Sequence, residues 1–96
     1  MYGTIARLRV KPGAEAMFVG VWRALEAFRP AGHVATYVYR MDANANEYYL
    51  AVIFTSKEAY QANADSPEME ARFQEIMATL AEEPEWHDGE IVSKSA

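Results

Sequence analysis

Cysteine is absent from this chain. Disulfides, thiolate metal sites and a cysteine nucleophile are therefore excluded, and nothing in the sequence points to an oxidising compartment. Basic residues are scarce: nine Lys and Arg stand against 14 Asp and Glu, a formal charge of -5. That balance repels phosphate backbones, and no Lys/Arg cluster overrides it, so nucleic acid is not an expected partner. Long hydrophobic runs are missing as well. No stretch approaches the ~20 apolar residues that span a bilayer. The opening MYGTIARLRVK carries charge by its seventh residue, unlike the apolar core of a signal peptide. No membrane partner is expected, and the default location is the cytoplasm.

Chemical signatures are equally few. The GxSxG, P-loop and dinucleotide glycine patterns do not occur, which argues against nucleotide-dependent chemistry. Only two histidines are present, His33 and His87. Neither has an i, i+4 histidine partner or the acidic spacing of a metalloprotease, so no metal site is expected and structural or solvent roles are assigned to both. The adjacent His87 and Asp88 would point to opposite faces of a strand, and no catalytic triad can be assembled. No cofactor is implied.

What is present belongs to a folded domain. Of the residues, 51% are hydrophobic, 12% aromatic and 24% charged, enough aromatic content to offset the ordering entropy that leaves polar chains disordered. Ninety-six residues fit one domain, 1–96, which buries about 60 to 70% of the surface its unfolded chain exposes. No repeat, low-complexity tract or linker suggests a boundary.

Residues 2–11 alternate, with Tyr2, Thr4, Ala6, Leu8 and Val10 on one side, and read as a strand. Pro12 and Gly13 turn the chain, after which Phe18, Val21, Trp22, Leu25 and Phe28 recur at helical spacing over roughly 14–28. RPAG at 29–32 ends that helix, because Pro30 disfavours helical geometry in Arg29. The β-branched and aromatic segment 33–42 and the stretch NEYYLAVIF at 46–54 form a hairpin across a polar loop. Ser56 caps a short helix, KEAYQANA. Ser66 followed by Pro67 starts a longer one, expected over 68–83 with Met69, Phe73, Ile76 and Leu80 as its stripe. A last strand follows Pro84 within EWHDGEIVSK, 85–94.

The order β-α-β-β-α-β predicts an α+β ferredoxin-like plait: a four-stranded antiparallel sheet with helices on one face. NEYYLAVIF is apolar at both parities, Tyr48, Leu50, Val52 and Phe54 against Tyr49, Ala51 and Ile53. Helices can cover only one of these faces, and the period of two leaves open which. An uncovered apolar face marks an interface, and the simplest partner is a second copy packed sheet to sheet.

On these features the chain resembles the dimeric α+β barrel superfamily, and within it the antibiotic biosynthesis monooxygenase-like domains. The resemblance covers nearly the whole chain. It rests on the element order, on VKPG at 10–13, on FTSKEAYQANADSPEM at 54–69, and on a last strand after a long helix. It implies a homodimer whose sheets form a barrel, with a small cavity between each sheet and its helices. Some members oxygenate polyphenols or quinols without metal or flavin, and others degrade haem. The sequence departs from two branches. Asn63 stands where many members carry a histidine in the short helix. The haem-degrading set of a first-strand asparagine, a short-helix tryptophan and a long-helix histidine is absent, so haem degradation is disfavoured.

Five residues are candidates for binding a small aromatic ligand: Trp22, Tyr37, Tyr49, Asn63 and Arg7. Trp22 on the helical stripe is either core or, opposed by Tyr37 or Tyr49, the wall of a cavity for a flat ring. Asn63 either caps the chain locally or orients a phenolic oxygen. Arg7, with Arg9, either extends along a rim or holds an anionic substrate or a partner's carboxylate. No catalytic residue is assigned. Two readings stay open, with isomerase or lyase chemistry a third: a cofactor-independent monooxygenase acting on an aromatic or quinol, or a non-catalytic dimeric small-molecule-binding or stress-associated domain.

Overall fold

Seven elements emerge from a computed structural model that describes residues 1–96. Strand β1 spans Tyr2–Arg9, helix α1 Glu15–Leu25, β2 His33–Arg40, β3 Glu47–Phe54, α2 Lys57–Ala64, α3 Pro67–Met77 and β4 Glu85–Glu90. The strands form one antiparallel sheet in the order β2-β3-β1-β4, the ferredoxin-like arrangement.

Register settles the question that periodicity left open. In the β1–β3 ladder Ala6 faces Leu50 and Leu8 faces Tyr48, so even positions share a face. That face carries the helices: Ala6, Leu8, Leu50 and Tyr48 join Phe18 of α1 and Ile76 of α3 in the buried cluster. The odd face has no helix. Ile5, Tyr37 and Tyr39 lie exposed on it, alongside the half-buried Tyr49, Ala51 and Ile53. An uncovered apolar face is thus present in the fold, on the parity opposite the core.

Local signals fix the helix starts. Ser56 Oγ accepts from the Ala59 N–H at 3.1 Å, and Ser66 Oγ from the Met69 N–H at 3.2 Å with Pro67 opening the helix, as capping chemistry requires. Helix ends were less legible. The stripe through Leu80 suggested a helix to residue 83, yet α3 stops at Met77. Leu80 instead bridges Val10, while Lys11 N–H donates to Thr79 O and Ala81 N–H to Arg9 O. These bonds extend the end of β1, so tertiary pairing overrides the helical period. Helix α1 is likewise shorter than 14–28.

One irregularity matters for the site. His33 pairs with Phe54 but Ala35 pairs with Ile53, so Val34 is an extra residue, a β-bulge. Bulges re-aim side chains. Just before it, Gly32 takes φ +82, and a Cβ there would stand 2.6 Å from the Ala59 Cβ, which admits only glycine where the loop meets α2.

Candidate functional site

Between the even face of the sheet and the three helices lies a cavity of about 1510 Å³. Its apolar wall includes Leu50, Val52 and Phe54 of β3, Trp22 of α1, Phe73 of α3 and Trp86 of β4. That is ample for a polycyclic ligand, since small-molecule sites run to about 300 to 1,000 Å³. Val34, Val38 and Arg40 line it and are exposed, so it reaches solvent along β2.

Two polar atoms of the lining residues, Trp22 Nε1 and Asn63 Oδ1, are buried with no hydrogen-bond partner in the protein. Leaving such a group unmet costs about 1 to 3 kcal/mol; each atom is occluded from the open space, so a ligand hydroxyl or oxo group would meet it only after a small shift of the neighbouring side chains. Asn63 is held from behind. Ser66 donates to its carbonyl through both Oγ, at 2.8 Å, and the backbone N–H, at 3.1 Å. The serine that caps α3 therefore also fixes the end of α2 that presents Asn63. Trp22 is braced by Phe18, whose ring lies edge-on at 6.3 Å.

His33 lines the cavity too, with Nε2 2.7 Å from Thr36 Oγ1. In a regular strand residues three apart point to opposite faces. The bulge at Val34 brings both to the cavity side, where His33 also meets the Phe54 ring edge-on at 5.4 Å. Burial, then the nearby Arg29 charge, pushes the His33 pKa down, favouring the neutral imidazole. At the β4 edge of the cavity Tyr60 donates to Asp88 Oδ1 at 3.1 Å. Burial and then the Asp88 charge push the Tyr60 hydroxyl up to about 12, so it stays a protonated donor. Arg40 donates from Nε to the Tyr48 hydroxyl at 3.2 Å and lies 5.7 Å from that ring's centroid. No three His, Asp or Glu side chains converge to hold a metal ion.

Of the five sequence candidates, the cavity brings together two, Trp22 and Asn63. Tyr37, Tyr49 and Arg7 occupy odd positions on the helix-free face and do not line it; strand parity separates them from Trp22. Arg7 pairs instead with Glu47, Nη2 to Oε2 at 3.1 Å, and Arg9 reaches the same oxygen at 3.6 Å. The guanidinium of Arg7, first by its hydrogen bond, holds the Glu47 carboxyl below its usual range. Sequence reasoning missed His33, because a bulge leaves no mark in a period of two. It also missed Tyr60, whose place in the α2 stretch AYQANA carried no signal beyond helix.

The sequence matches the antibiotic biosynthesis monooxygenase family over residues 1–75. No curated protein matches it. Among solved structures, SnoaB, a cofactor-independent oxygenase from Streptomyces nogalater crystallised as an asparagine-to-alanine variant, is 21% identical with a TM-score of 0.86, over 97% of this chain and 94% of that one. A Caulobacter crescentus protein provisionally assigned to antibiotic biosynthesis monooxygenases has the same identity, 21%, and TM-score, 0.86, over 96% of this chain and 90% of that one. A Bordetella bronchiseptica protein with the same provisional assignment is 25% identical, with a TM-score of 0.80 over 96% and 97%. These likenesses in shape agree with the sheet order and the helix-covered face described above. The family match runs from β1 into α3, with β4 beyond it, and on it the chain belongs to the antibiotic biosynthesis monooxygenase family.

Proposed function

We propose that this protein is a cofactor-independent monooxygenase that oxidises an aromatic or quinol-type substrate in the cavity between sheet and helices. The observation that carries this reading is that one cavity is lined by both Trp22 and Asn63, whose Nε1 donor and Oδ1 acceptor are left without protein partners. A phenol offers what each lacks: an oxygen to accept from the indole and a hydroxyl to donate to the amide oxygen.

The chemistry asks little more of the chain. His33, neutral and with one ring nitrogen engaged by Thr36, takes the phenolic proton. Trp22 N–H favours the resulting phenolate, the role of a preorganised oxyanion donor. Negative charge then moves to the ring carbon para to that oxygen, which reacts with dioxygen. One oxygen atom stays on this carbon, giving a quinone. The other leaves as water with the ring hydrogen and the phenolic proton, the latter returned by His33. The substrate supplies all four electrons, so neither metal nor flavin is needed.

In this reading the protein works as a homodimer. Ile5, Tyr37, Tyr39 and Ile53 form an apolar patch on the helix-free face, and a second sheet would cover it. Sedimentation at micromolar concentration tests this directly, and a well-folded monomer would remove it.

Activity is tested by oxygen uptake with a panel of polycyclic phenols that carry hydrogen on the carbon para to the hydroxyl. The expected result is one O₂ per quinone formed, with one ¹⁸O from labelled gas retained. Trp22→Phe is expected to lower turnover about 10²-fold, the scale of a lost oxyanion donor. Asn63→Ala and His33→Gln should fall in the same direction. Turnover untouched by all three substitutions would refute the site. Binding of the panel without any turnover would favour the non-catalytic alternative.

A further inference from the structure

The proposed oxygenation has to move two protons, and His33 accounts for one of them. The hydrogen on the para carbon must also leave before a quinone can form. At that stage His33 already carries the phenolic proton, and neither the Trp22 indole nor the Asn63 amide is a base. Tyr60 is a titratable side chain on the cavity wall that the reaction does not otherwise use. Its ring is held on two sides, 5.4 Å from that of Tyr2 and 5.8 Å from that of Phe54. Its hydroxyl donates to Asp88 Oδ1 at 3.1 Å.

Asp88 is unlike the other acids of this wall. Of the lining carboxylates, Glu26, Asp65, Glu70 and Asp88, it alone is bonded to another lining side chain. Its partner in the β1–β4 ladder is Thr4, which is 4% exposed on the helix-covered face, so the carboxylate emerges on the cavity side of the sheet. No Lys, Arg or His nitrogen lies within 4.0 Å of it, and a carboxylate without an ion pair is the better proton acceptor. The position fits as well. His33 stands opposite Phe54 in the β2–β3 ladder and meets its ring at 5.4 Å. Tyr60 meets the same ring from the side of β1 and β4, where Tyr2 and Asp88 hold it. Asn63 follows Tyr60 by three residues on α2, so the two side chains share one helix face. A phenol lying over Phe54 with its hydroxyl toward His33 turns its para carbon toward Tyr60.

We propose that Tyr60 is a further catalytic residue of this site and, with Asp88 behind it, removes the hydrogen from the para carbon of the substrate. This rests on the proposed oxygenation and supplies the base it lacks. Dioxygen bonds to the para carbon, and His33 protonates the outer oxygen. The C–H and O–O bonds then break together: the C–H electron pair becomes the second bond of the new carbonyl, and the outer oxygen departs as hydroxide with the O–O pair. The Tyr60 oxygen takes the ring proton as its own proton passes to Asp88. The same path in reverse returns a proton to the hydroxide, which leaves as water. Burial and then the Asp88 charge push the Tyr60 hydroxyl up to about 12, so it gains a proton only as it gives one up.

Tyr60→Phe removes the conduit while keeping the ring contacts with Tyr2 and Phe54, and Asp88→Asn removes the acceptor while keeping an oxygen for the Tyr60 hydroxyl. Both are tested by oxygen uptake with 1-naphthol and with 1-naphthol deuterated at the para carbon. The expected result in either variant is a fall in kcat of about 10²-fold, the scale of a lost general base, together with a primary isotope effect larger than the unmodified protein's, because C–H cleavage becomes the slow step. His33→Gln should slow turnover without raising that isotope effect, since it acts on the other proton. Asp88→Glu should recover part of the lost rate. A fall in rate with an unchanged isotope effect would overturn the relay and mark the Tyr60–Asp88 bond as a tie between α2 and β4. Unchanged turnover in both variants of an active protein would overturn the relay alone and leave the proposed function standing. No oxygen uptake by the unmodified protein would remove the reaction and the relay together.

Discussion

Phe18 is the residue on which both the core and the cavity wall turn. It is 0% exposed, and its ring lies 4.6 Å from that of Tyr48 and 6.3 Å from that of Trp22. Replacing it with alanine removes a whole buried ring and leaves a void that the surrounding sheet cannot fill, a change that costs about 3 to 5 kcal/mol. A chain of this size has roughly 5 to 14 kcal/mol in total. Phe18→Ala is thus expected to forfeit between about a fifth and nearly all of the stability. With a urea m-value of about 2 kcal/mol/M for a small domain, the midpoint should fall by about 2 M. Phe18→Leu keeps most of the apolar volume but loses two ring pairs worth about 0.5 to 1.5 kcal/mol each, so its loss should be about 1 to 3 kcal/mol. Equilibrium urea unfolding followed by circular dichroism, at one fixed protein concentration, measures both. A Phe18→Ala loss below about 1.5 kcal/mol with an unchanged m-value would refute the placement of Phe18 at the centre of the core.

Two further outcomes follow from the site. His33 has a folded pKa below its ordinary value, so between that value and about 6.5 the unfolded chain binds the extra proton; stability should rise with pH across this window and fall on acidification. His33→Asn should flatten that slope just below about pH 6.5 in thermal melts, while the fall at lower pH, where the depressed Glu15 and Glu47 carboxyls protonate, persists. An unchanged slope just below about pH 6.5 would show that the imidazole is solvated. Ser66→Ala removes the α3 cap and the Oγ bond to the Asn63 carbonyl together, and should cost about 0.5 to 2 kcal/mol in urea unfolding.

How much of this was legible depended on whether a feature repeats along the chain. Strand β1 and the two-sided stretch at 46–54 read correctly because alternation is local, and both apolar faces of β3 are present in the structure. Which face meets the helices was not legible, because parity is fixed by interstrand register, and Ala6 opposite Leu50 is a contact between residues 44 positions apart. Tyr37, Tyr49 and Arg7 were therefore drawn toward Trp22 by residue type, although the ladder turns them away. Leu80 shows the converse. It fits the helical stripe, yet its backbone is claimed by Val10. His33 shows a third case, where a single inserted residue reverses the face of a side chain without altering composition or pattern.

Only 12 of the 96 residues are buried, and a cavity of about 1510 Å³ lies between the sheet and the helices, where a plait of this kind would otherwise pack its core. The two facts have one cause. Helix α1 touches the sheet through Phe18 and Tyr48, while α2 and α3 touch it through Tyr60 against Tyr2 and Phe54, and Phe73 against Trp86. Phe18 and Ile76 also close the core over Ala6, Leu8 and Leu50, whereas toward β2 the apolar side chains Val34 and Val38 that line the gap are left exposed. A cavity built in this way is made at the expense of hydrophobic burial, which at about 25 cal/mol per Å² is the main favourable contribution to folding. The chain must recover that loss on another surface. The helix-free face, with Ile5, Tyr37 and Tyr39 exposed, is a surface with apolar area to spare. The proposed homodimer and the proposed active cavity are therefore two sides of one arrangement: packing the odd face against a second sheet is what would allow the even face to stay open for a substrate.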